Sequence, residues 1–379
     1  MNIRIWVALF CLVIAKGAAD DADISFFIAD LKFNSVKGIK VCEIQPGVLS
    51  TFRGDRFSNG GKGLIDKRFC DEILSFGLPI WTLSGVFTDS GIKSLLPKRS
   101  AVEVKSTLQA LKADKKLAKL AKVPPKNPEN ISDYKALFIG RFLSSQEILE
   151  LKALFPGMLI LDADTRAYWR DKQAVSLLFR KSPQIQSLRP LWNYYAKSSD
   201  SDLAVRILNE IPSDYLVVKP RGKSRGNGVI ILPSTDLKKT LEYIFSSTRA
   251  LKVDPDPSFS SWYQDEDETF LVEEFFPSDP LFVPHLNMKP YEPTLRIVFL
   301  MVQDEGVHSI RFLGGFWTLP SKSLTENGSF TEKTKTCCQF PFYAKADPAV
   351  VEAAEEVLGV AMPILHRLML DERRYGQDP

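Results

Sequence analysis

Tyr215 to Val229, YLVVKPRGKSRGNGV, is the stretch on which the reading of the fold turns. Leu216 to Val218 is an apolar run of strand type, and Lys219 stands at its end. Ser224, Gly226 and Gly228 follow in a loop whose glycines let the backbone bend sharply and turn bare N–H groups toward an anion. Polyphosphate is the natural guest of such a loop. It is not a Walker loop, because G-x-x-x-x-G-K-[ST] is absent and the lysine precedes the glycines. A strand ending in Lys-Pro and a glycine-rich turn is also common in any α/β hairpin, so this stretch alone leaves nucleotide binding and an ordinary turn both open.

The chain has 379 residues, enough for two domains or one large α/β unit, each with an adequate core. With 45% apolar and 25% charged residues it is globular rather than disordered. A formal charge of +3 is small for this length, so nothing in the global balance points to nucleic acid. The histidines are His285, His308 and His366, none with a nearby cysteine, which excludes zinc-type Cys/His spacing. Of Cys11, Cys42, Cys70, Cys337 and Cys338, the adjacent last two rarely bridge each other, and no disulfide framework can be read. Arg4, the uncharged run Ile5 to Ala15 and Gly17-Ala18-Ala19 have the layout of a secretory signal over residues 1–19, with a first core strand or helix as the alternative. The run is too short to span a membrane. Two sequons, at Asn130 and Asn327, matter only on a eukaryotic secretory path.

Ile24 to Phe33 and Ile39 to Gln45 are β-type runs separated by a turn, which predicts a hairpin within residues 24–53. Glu43 and Gln45 share a strand face, and the hairpin can bring Asp30 alongside; two carboxylates and an amide oxygen suit Mg²⁺, whereas the plainer reading is a solvated edge. From 54 to 165, short apolar runs at Arg68–Leu74, Leu78–Leu83, Ala136–Ile139, Glu147–Leu154 and Met158–Leu161 predict an α/β sub-domain with a parallel sheet. Lys93 to Lys126 reads as a basic amphipathic helix that could touch anionic lipid or an acidic partner, or simply form a solvated face. Over residues 166–370, a helix opens at Asp171-Lys172 and another lies around Leu203–Leu208. Asp254–Glu268 reads as an exposed acidic insertion, and Thr269–Phe276 as a strand ending in two acids and two aromatics. A strand pair at Leu295–Val302 and His308–Leu319 carries Arg296 and Arg311, and a helix runs from Pro348 to about Met369.

Lys172, Lys219 in VVKP, the Ser224–Gly228 loop and Glu273-Glu274-Phe275-Phe276 stand in the order and spacing of ATP-grasp proteins, which the chain resembles from about Leu161 to Arg296. The resemblance implies that Lys172 and Lys219 hold the α- and β-phosphates of ATP, that Ser224, Gly226 and Gly228 form the lid, and that Glu273, Glu274, Phe275 and Phe276 form the hinge to adenine. It also implies a later strand with Asp and, about thirteen residues on, Glu-x-Asn as metal ligands. The chain ends in a helix instead. Its N-terminal hairpin supplies Asp30 and, thirteen residues later, Glu43-Ile44-Gln45, so the expectation is a circularly permuted ATP-grasp core, α/β in class, with Asp30, Glu43 and Gln45 on Mg²⁺. The implied activity is carboxylate–amine ligation through an acyl phosphate on small-molecule or peptide substrates, with Arg296 and Arg311 at the reacting groups. Gln45 in place of Asn, Pro280 at the usual ribose-binding Glu (with Asp279 beside it as a substitute) and Ile28 at a frequent catalytic Arg are departures. They keep open an exported nucleotide-binding module without ligase activity.

Overall fold

β1 (Asp23–Asn34) is buried at ten successive positions, Asp23 to Lys32, rather than at alternate ones, the mark of a strand covered on both faces. The computed structural model describes residues 21–47, 52–84, 102–140, 143–169, 171–198, 200, 202–223, 226–246, 248–263 and 265–375. The segment 1–19 and Ser224 therefore lie outside the described residues. β1 turns through Gly38 (φ +86°) into β2 (Gly38–Pro46), as the hairpin signal predicts. Helices α1 (Phe52–Ser58) and α2 (Leu64–Ser75) lead to a four-stranded parallel sheet of β3 (Ile80–Leu83), β4 (Val102–Lys105), β5 (Ala136–Ile139) and β6 (Met158–Ile160), in the order β4-β3-β5-β6.

The expected single basic helix is corrected by the structure. The described part of that segment is β4 followed by α3 (Leu108–Lys112) and α4 (Lys115–Leu120). Thr107 and Asp114 are the cause: each accepts a hydrogen bond from a backbone N–H of the turn ahead, Ala110 at 3.1 Å and Leu117 at 2.7 Å, and so restarts the helix. Leu111 and Leu117 are buried, while Lys105, Lys112 and Lys116 pair with Asp114, Glu150 and Glu103. Helix α5 (Ser145–Leu154) opens on a capping box between Ser144 and Glu147.

After α6 (Lys172–Lys181) comes an antiparallel sheet, β7 (Trp192–Ala196), β8 (Tyr215–Pro220), β9 (Ile230–Pro233) and β10 (Thr269–Glu274), ordered β7-β10-β8-β9. Its outer face packs on α7 (Leu203–Glu210) and α8 (Leu237–Ile244) through Leu216, Val218, Phe270 and Val272. The expected acidic insertion is no free loop: Trp262 is buried and donates through Nε1 to the Gly228 carbonyl at 2.9 Å, and Asp265 takes Lys197 at 2.8 Å.

A short ribbon, β11 (Leu281–Val283) with β12 (Lys289–Tyr291), precedes β13 (Thr294–Asp304), β14 (Val307–Thr318), α9 (Phe330–Thr334), β15 (Tyr343–Lys345) and the 28-residue α10 (Pro348–Tyr375). These strands close a five-stranded sheet, β15-β14-β13-β1-β2, in which β1 lies between β13 and β2. One face (Phe26, Ile28, Val298, Leu300) packs on Ile65 and Phe69 of α2 and on Ile80 and Leu137 of the parallel sheet. The other (Phe27, Ala29, Ile297, Phe299) packs on Val175 and Phe179 of α6 and on Leu358, Met362 and Leu365 of α10. Each such side chain contributes about 1.5–3 kcal/mol by leaving water. Among the described residues no helix is long and apolar enough to cross a membrane.

A polar link fastens α10 to the far end of this sheet. His366 Nε2 lies 3.0 Å from Asp23 Oδ2, and His366 Nδ1 lies 3.2 Å from His308 Nδ1. Burial, with His366 and Arg367 adding to it, lowers the His308 pKa from 6.5 to about 4. The unfolded chain therefore binds this proton near pH 6.5 and the folded one only near 4, so this share of stability is whole above the window and is lost as pH falls through it. The urea midpoint should decline from pH 6.5 to 4, and His308→Gln should flatten that part of the profile; an equal slope in both proteins would show that His308 does not contribute.

Candidate functional site

Alternation along β8 and β10 builds one wall of a cleft. Leu216, Val218, Phe270 and Val272 point into the core behind the sheet, so Lys219 and Glu273 emerge on the other face. Lys219 lies opposite Leu271 and Val217 opposite Glu273, which makes Lys219 and Glu273 diagonal neighbours. Their side chains form an ion pair. Glu273 is 2% exposed and also receives Arg189 Nη2. Burial alone would raise the Glu273 pKa, but Lys219 and Arg189 outweigh it and hold the carboxyl below its usual range. Arg189 reaches across the cleft as well: Nη1 donates to the carbonyls of Cys42 at 2.8 Å and Val41 at 3.3 Å, and Nη2 to Ser176 Oγ at 3.2 Å.

The N-terminal hairpin forms the other wall. Asp30 pairs in register with Arg296 on one side and Glu43 on the other, so all three stand on one face, and Gln45 shares it. Arg296 grips Asp30 through Nε at 2.7 Å and Nη2 at 2.8 Å, and Gln45 Nε2 donates to Asp30 Oδ2 at 2.7 Å. Burial works against the guanidinium charge of Arg296, yet the Asp30 carboxylate raises its pKa above the ordinary value. The ladder slips between Asp30 and Leu31, where Glu43 and Val41 are the successive partners; Cys42 is the extra residue of a bulge. Burial pushes its thiol pKa up, with Lys219, Glu273, Lys32 and Arg189 acting on it.

Lys172 links the two walls. It is the first residue of α6, capped by Asp171, which accepts from Ala174 N at 3.0 Å and from Arg221 at 2.7 Å. Its Nζ donates to the Lys223 carbonyl and lies 3.6 Å from Glu43 Oε1. Gly226 and Gly228 have φ of +73° and +74°, a conformation that favours glycine, and lead into β9 beside α9.

Not every expected group joins this cleft. Arg311 pairs with Glu72 at 2.9 Å and lies level with Leu300, four residues and about 14 Å along β13 from Arg296. The Asp279 carboxylate is held by Ser35 N at 2.7 Å, in the hairpin turn. At the end of β10, Glu274 exchanges backbone and side-chain hydrogen bonds with Leu191, and Phe275 N donates to the Tyr215 carbonyl at 2.9 Å. The Phe275 ring packs edge-on against Phe330, 5.3 Å between centroids, and Phe276 is 9% exposed. Among the described residues no three His, Cys, Asp or Glu side chains converge as metal ligands. Asp30, Glu43 and Gln45 share one face, with both Asp30 oxygens engaged by Arg296 and Gln45 and with Glu43 and the Gln45 carbonyl as further oxygen donors beside them.

Three buried polar atoms around the cleft lack a hydrogen-bond partner among the described residues: Arg189 Nε, Gln173 Oε1 and Tyr194 Oη. Burial, then Glu273, raises the Tyr194 pKa. Arg189, Tyr194 and Cys42 carry no motif, and no spacing in the sequence marks them; only packing brings them to Glu273.

No protein-family model and no curated protein sequence matches this chain. The solved structures that overlap with it include two ligase-type enzymes. A D-cycloserine synthetase is 12% identical over 77% of this chain and 82% of its own, with a TM-score of 0.36. The D-alanine-D-alanine ligase from Coxiella burnetii is 12% identical over 65% of this chain and 72% of its own, with a TM-score of 0.27. At these scores neither likeness decides fold or activity.

Removing one partner of a buried ion pair strands the other charge, which costs about 3–5 kcal/mol. Asp30→Asn should therefore lower the urea unfolding midpoint at unchanged m-value by a shift worth about 3 kcal/mol. A shift below about 0.5 kcal/mol, the range of ordinary surface changes, would show that the pair does not close the sheet as drawn.

Proposed function

We propose that the chain is an ATP- and magnesium-dependent ligase that joins a carboxylate to an amine through an acyl phosphate, on a circularly permuted ATP-grasp core. The observation that carries this is the meeting of Lys172 with Glu43, which brings the hairpin at the start of the chain to the lysines of its middle, in one cleft with Lys219. Chain order supports the permutation: the hairpin with Asp30, Glu43 and Gln45 stands beside β13 in the sheet but precedes it by more than 200 residues.

The donor set fits a polyphosphate. Lys219 is an ammonium group on one wall and Lys172 a second one on the helix that links the walls, and Arg189 Nε is a buried donor without a partner among the described residues. In this reading the two lysines neutralise phosphate oxygens, and the loop with Ser224, Gly226 and Gly228 closes over them. Glu273 to Phe276 border the base, with Phe275 offering a ring edge. Glu43 and the Gln45 carbonyl would hold Mg²⁺, which supplies charge cancellation at the phosphates when bound. The substrate carboxylate attacks the γ-phosphorus, ADP departs, and the amine then displaces phosphate from the acyl carbon; the chain contributes positioning and charge rather than a covalent bond. In this reading Arg296, near the start of β13, would meet the acyl phosphate. The substrates are small molecules or peptides, and residues 1–19 would direct export.

A second reading, a nucleotide-binding module without ligation, is favoured by one observation: both oxygens of Asp30 are engaged by Arg296 and Gln45 rather than held for a metal. Titration with ATP and Mg²⁺ plus an assay for ADP separates the two, since turnover supports the ligase and binding alone supports the module. Lys219→Ala should abolish nucleotide binding while leaving the circular dichroism spectrum unchanged, because Glu273 keeps Arg189 as its buried counter-charge. Unchanged ATP affinity in that variant would remove the basis for both.

A further inference from the structure

Glu273 holds two cations at once, although one of them is the group that an anion in this cleft must capture. The carboxylate is 2% exposed and lies at the floor of the cleft, so it cannot trade either cation for water. An anion arriving at Lys219 therefore competes with a buried carboxylate for the same ammonium. If Lys219 were the only counter-charge, its transfer to the anion would strand Glu273 in a dry site, and the anion would have to overcome that penalty.

Arg189 removes the penalty. It approaches Glu273 from the side opposite the β8 lysine, out of the loop between α6 and β7. Its Nη1 is anchored on the carbonyls of Cys42 and Val41 at the β2 bulge, and its Nη2 on Ser176 of α6. The side chain is 5% exposed, so three elements fix the guanidinium where it is. A planar fork held at both nitrogens stays on the carboxylate when the flexible ammonium leaves it. The bulge contributes directly: in a regular edge strand such as β2 successive carbonyls point to opposite sides, whereas at the register slip the neighbouring Val41 and Cys42 carbonyls both reach Arg189.

We infer that Arg189 is a positioning residue for nucleotide binding: by retaining the Glu273 carboxylate, it lets Lys219 exchange that carboxylate for a phosphate group. The inference rests on the nucleotide-binding reading above and adds to it a partner exchange within the cleft. Arg189 acts through Glu273 and Lys219 and need not touch the nucleotide.

The experiment is a double-variant cycle on the full chain, read by titration calorimetry with ATP and Mg²⁺ and, in parallel, with inorganic tripolyphosphate. Arg189→Met should weaken binding of both probes by at least about tenfold, because Lys219 is then the sole counter-charge of Glu273. Adding Glu273→Gln should restore affinity to within about threefold of Glu273→Gln alone, since a neutral amide no longer competes for the ammonium. Arg189→Lys keeps the charge but loses the fork and its carbonyl anchors; it should bind more weakly than the wild-type chain and more tightly than Arg189→Met, and it replaces the methionine variant in the cycle if that variant does not fold. Equal loss on Arg189→Met with and without Glu273→Gln would overturn the exchange, because a purely structural role for Arg189 gives additive effects. Binding within about twofold of wild type in Arg189→Met would overturn it as well. Where Arg189→Met does not fold, a Lys variant whose loss is equal with and without Glu273→Gln overturns the inference. Wild-type chain that binds tripolyphosphate but not ATP would end the nucleotide reading while leaving the exchange testable on the phosphate probe; a chain that binds neither ends both.

Discussion

The bidentate pair between Asp30 and Arg296 joins residues 266 positions apart and ties the first strand of the chain to the eleven-residue β13. Its effect is on register more than on net stability, because the cost of drying two charges offsets most of their attraction. A slip of one residue would set Asp30 against an apolar neighbour of Arg296 and turn every side chain of β1 to the other face. Since β1 separates two cores, such a slip would exchange their contents. Both charges would be buried without partners, so the misregistered sheets are excluded by several kcal/mol, about 3–5 for one stranded charge.

That register also sets the cleft. Once Asp30 is opposite Arg296, the hairpin must place Glu43 on the same face and open its bulge at Cys42. The bulge carbonyls then receive Arg189, and Glu43 comes within 3.6 Å of Lys172. Four cations, Lys172, Arg189, Lys219 and Arg296, meet the three carboxylates of Asp30, Glu43 and Glu273. The excess of positive charge and the low dielectric of the surroundings favour an anionic guest over a cationic or neutral one. Glu273 stays ionised in spite of its burial for the same reason.

Much of the architecture was legible in the residues. The hairpin of β1 and β2, the parallel sheet, β8, β10 and the β13–β14 pair all follow from apolar periodicity and turn residues, which are local properties. The leucines of the basic segment recur at the spacing of one helix, yet Thr107 and Asp114 supply caps that spacing does not weigh. Composition gives the acidic segment as an exposed insertion, and what composition does not show is its anchor, Trp262, which is buried on the Gly228 carbonyl. Arg311 was grouped with Arg296 because both sit on one strand pair; the ladder register separates them and gives Arg311 to Glu72.

By itself the sequence determined the types of most elements, the two lysines and the glycine turn, since hydrophobic period and glycine conformation act over a few residues. Only the tertiary structure decided which charges share a site. The partners of Asp30, Glu43 and Glu273 come from segments far apart in the chain, and their pairing is set by sheet register and burial, which no local pattern encodes.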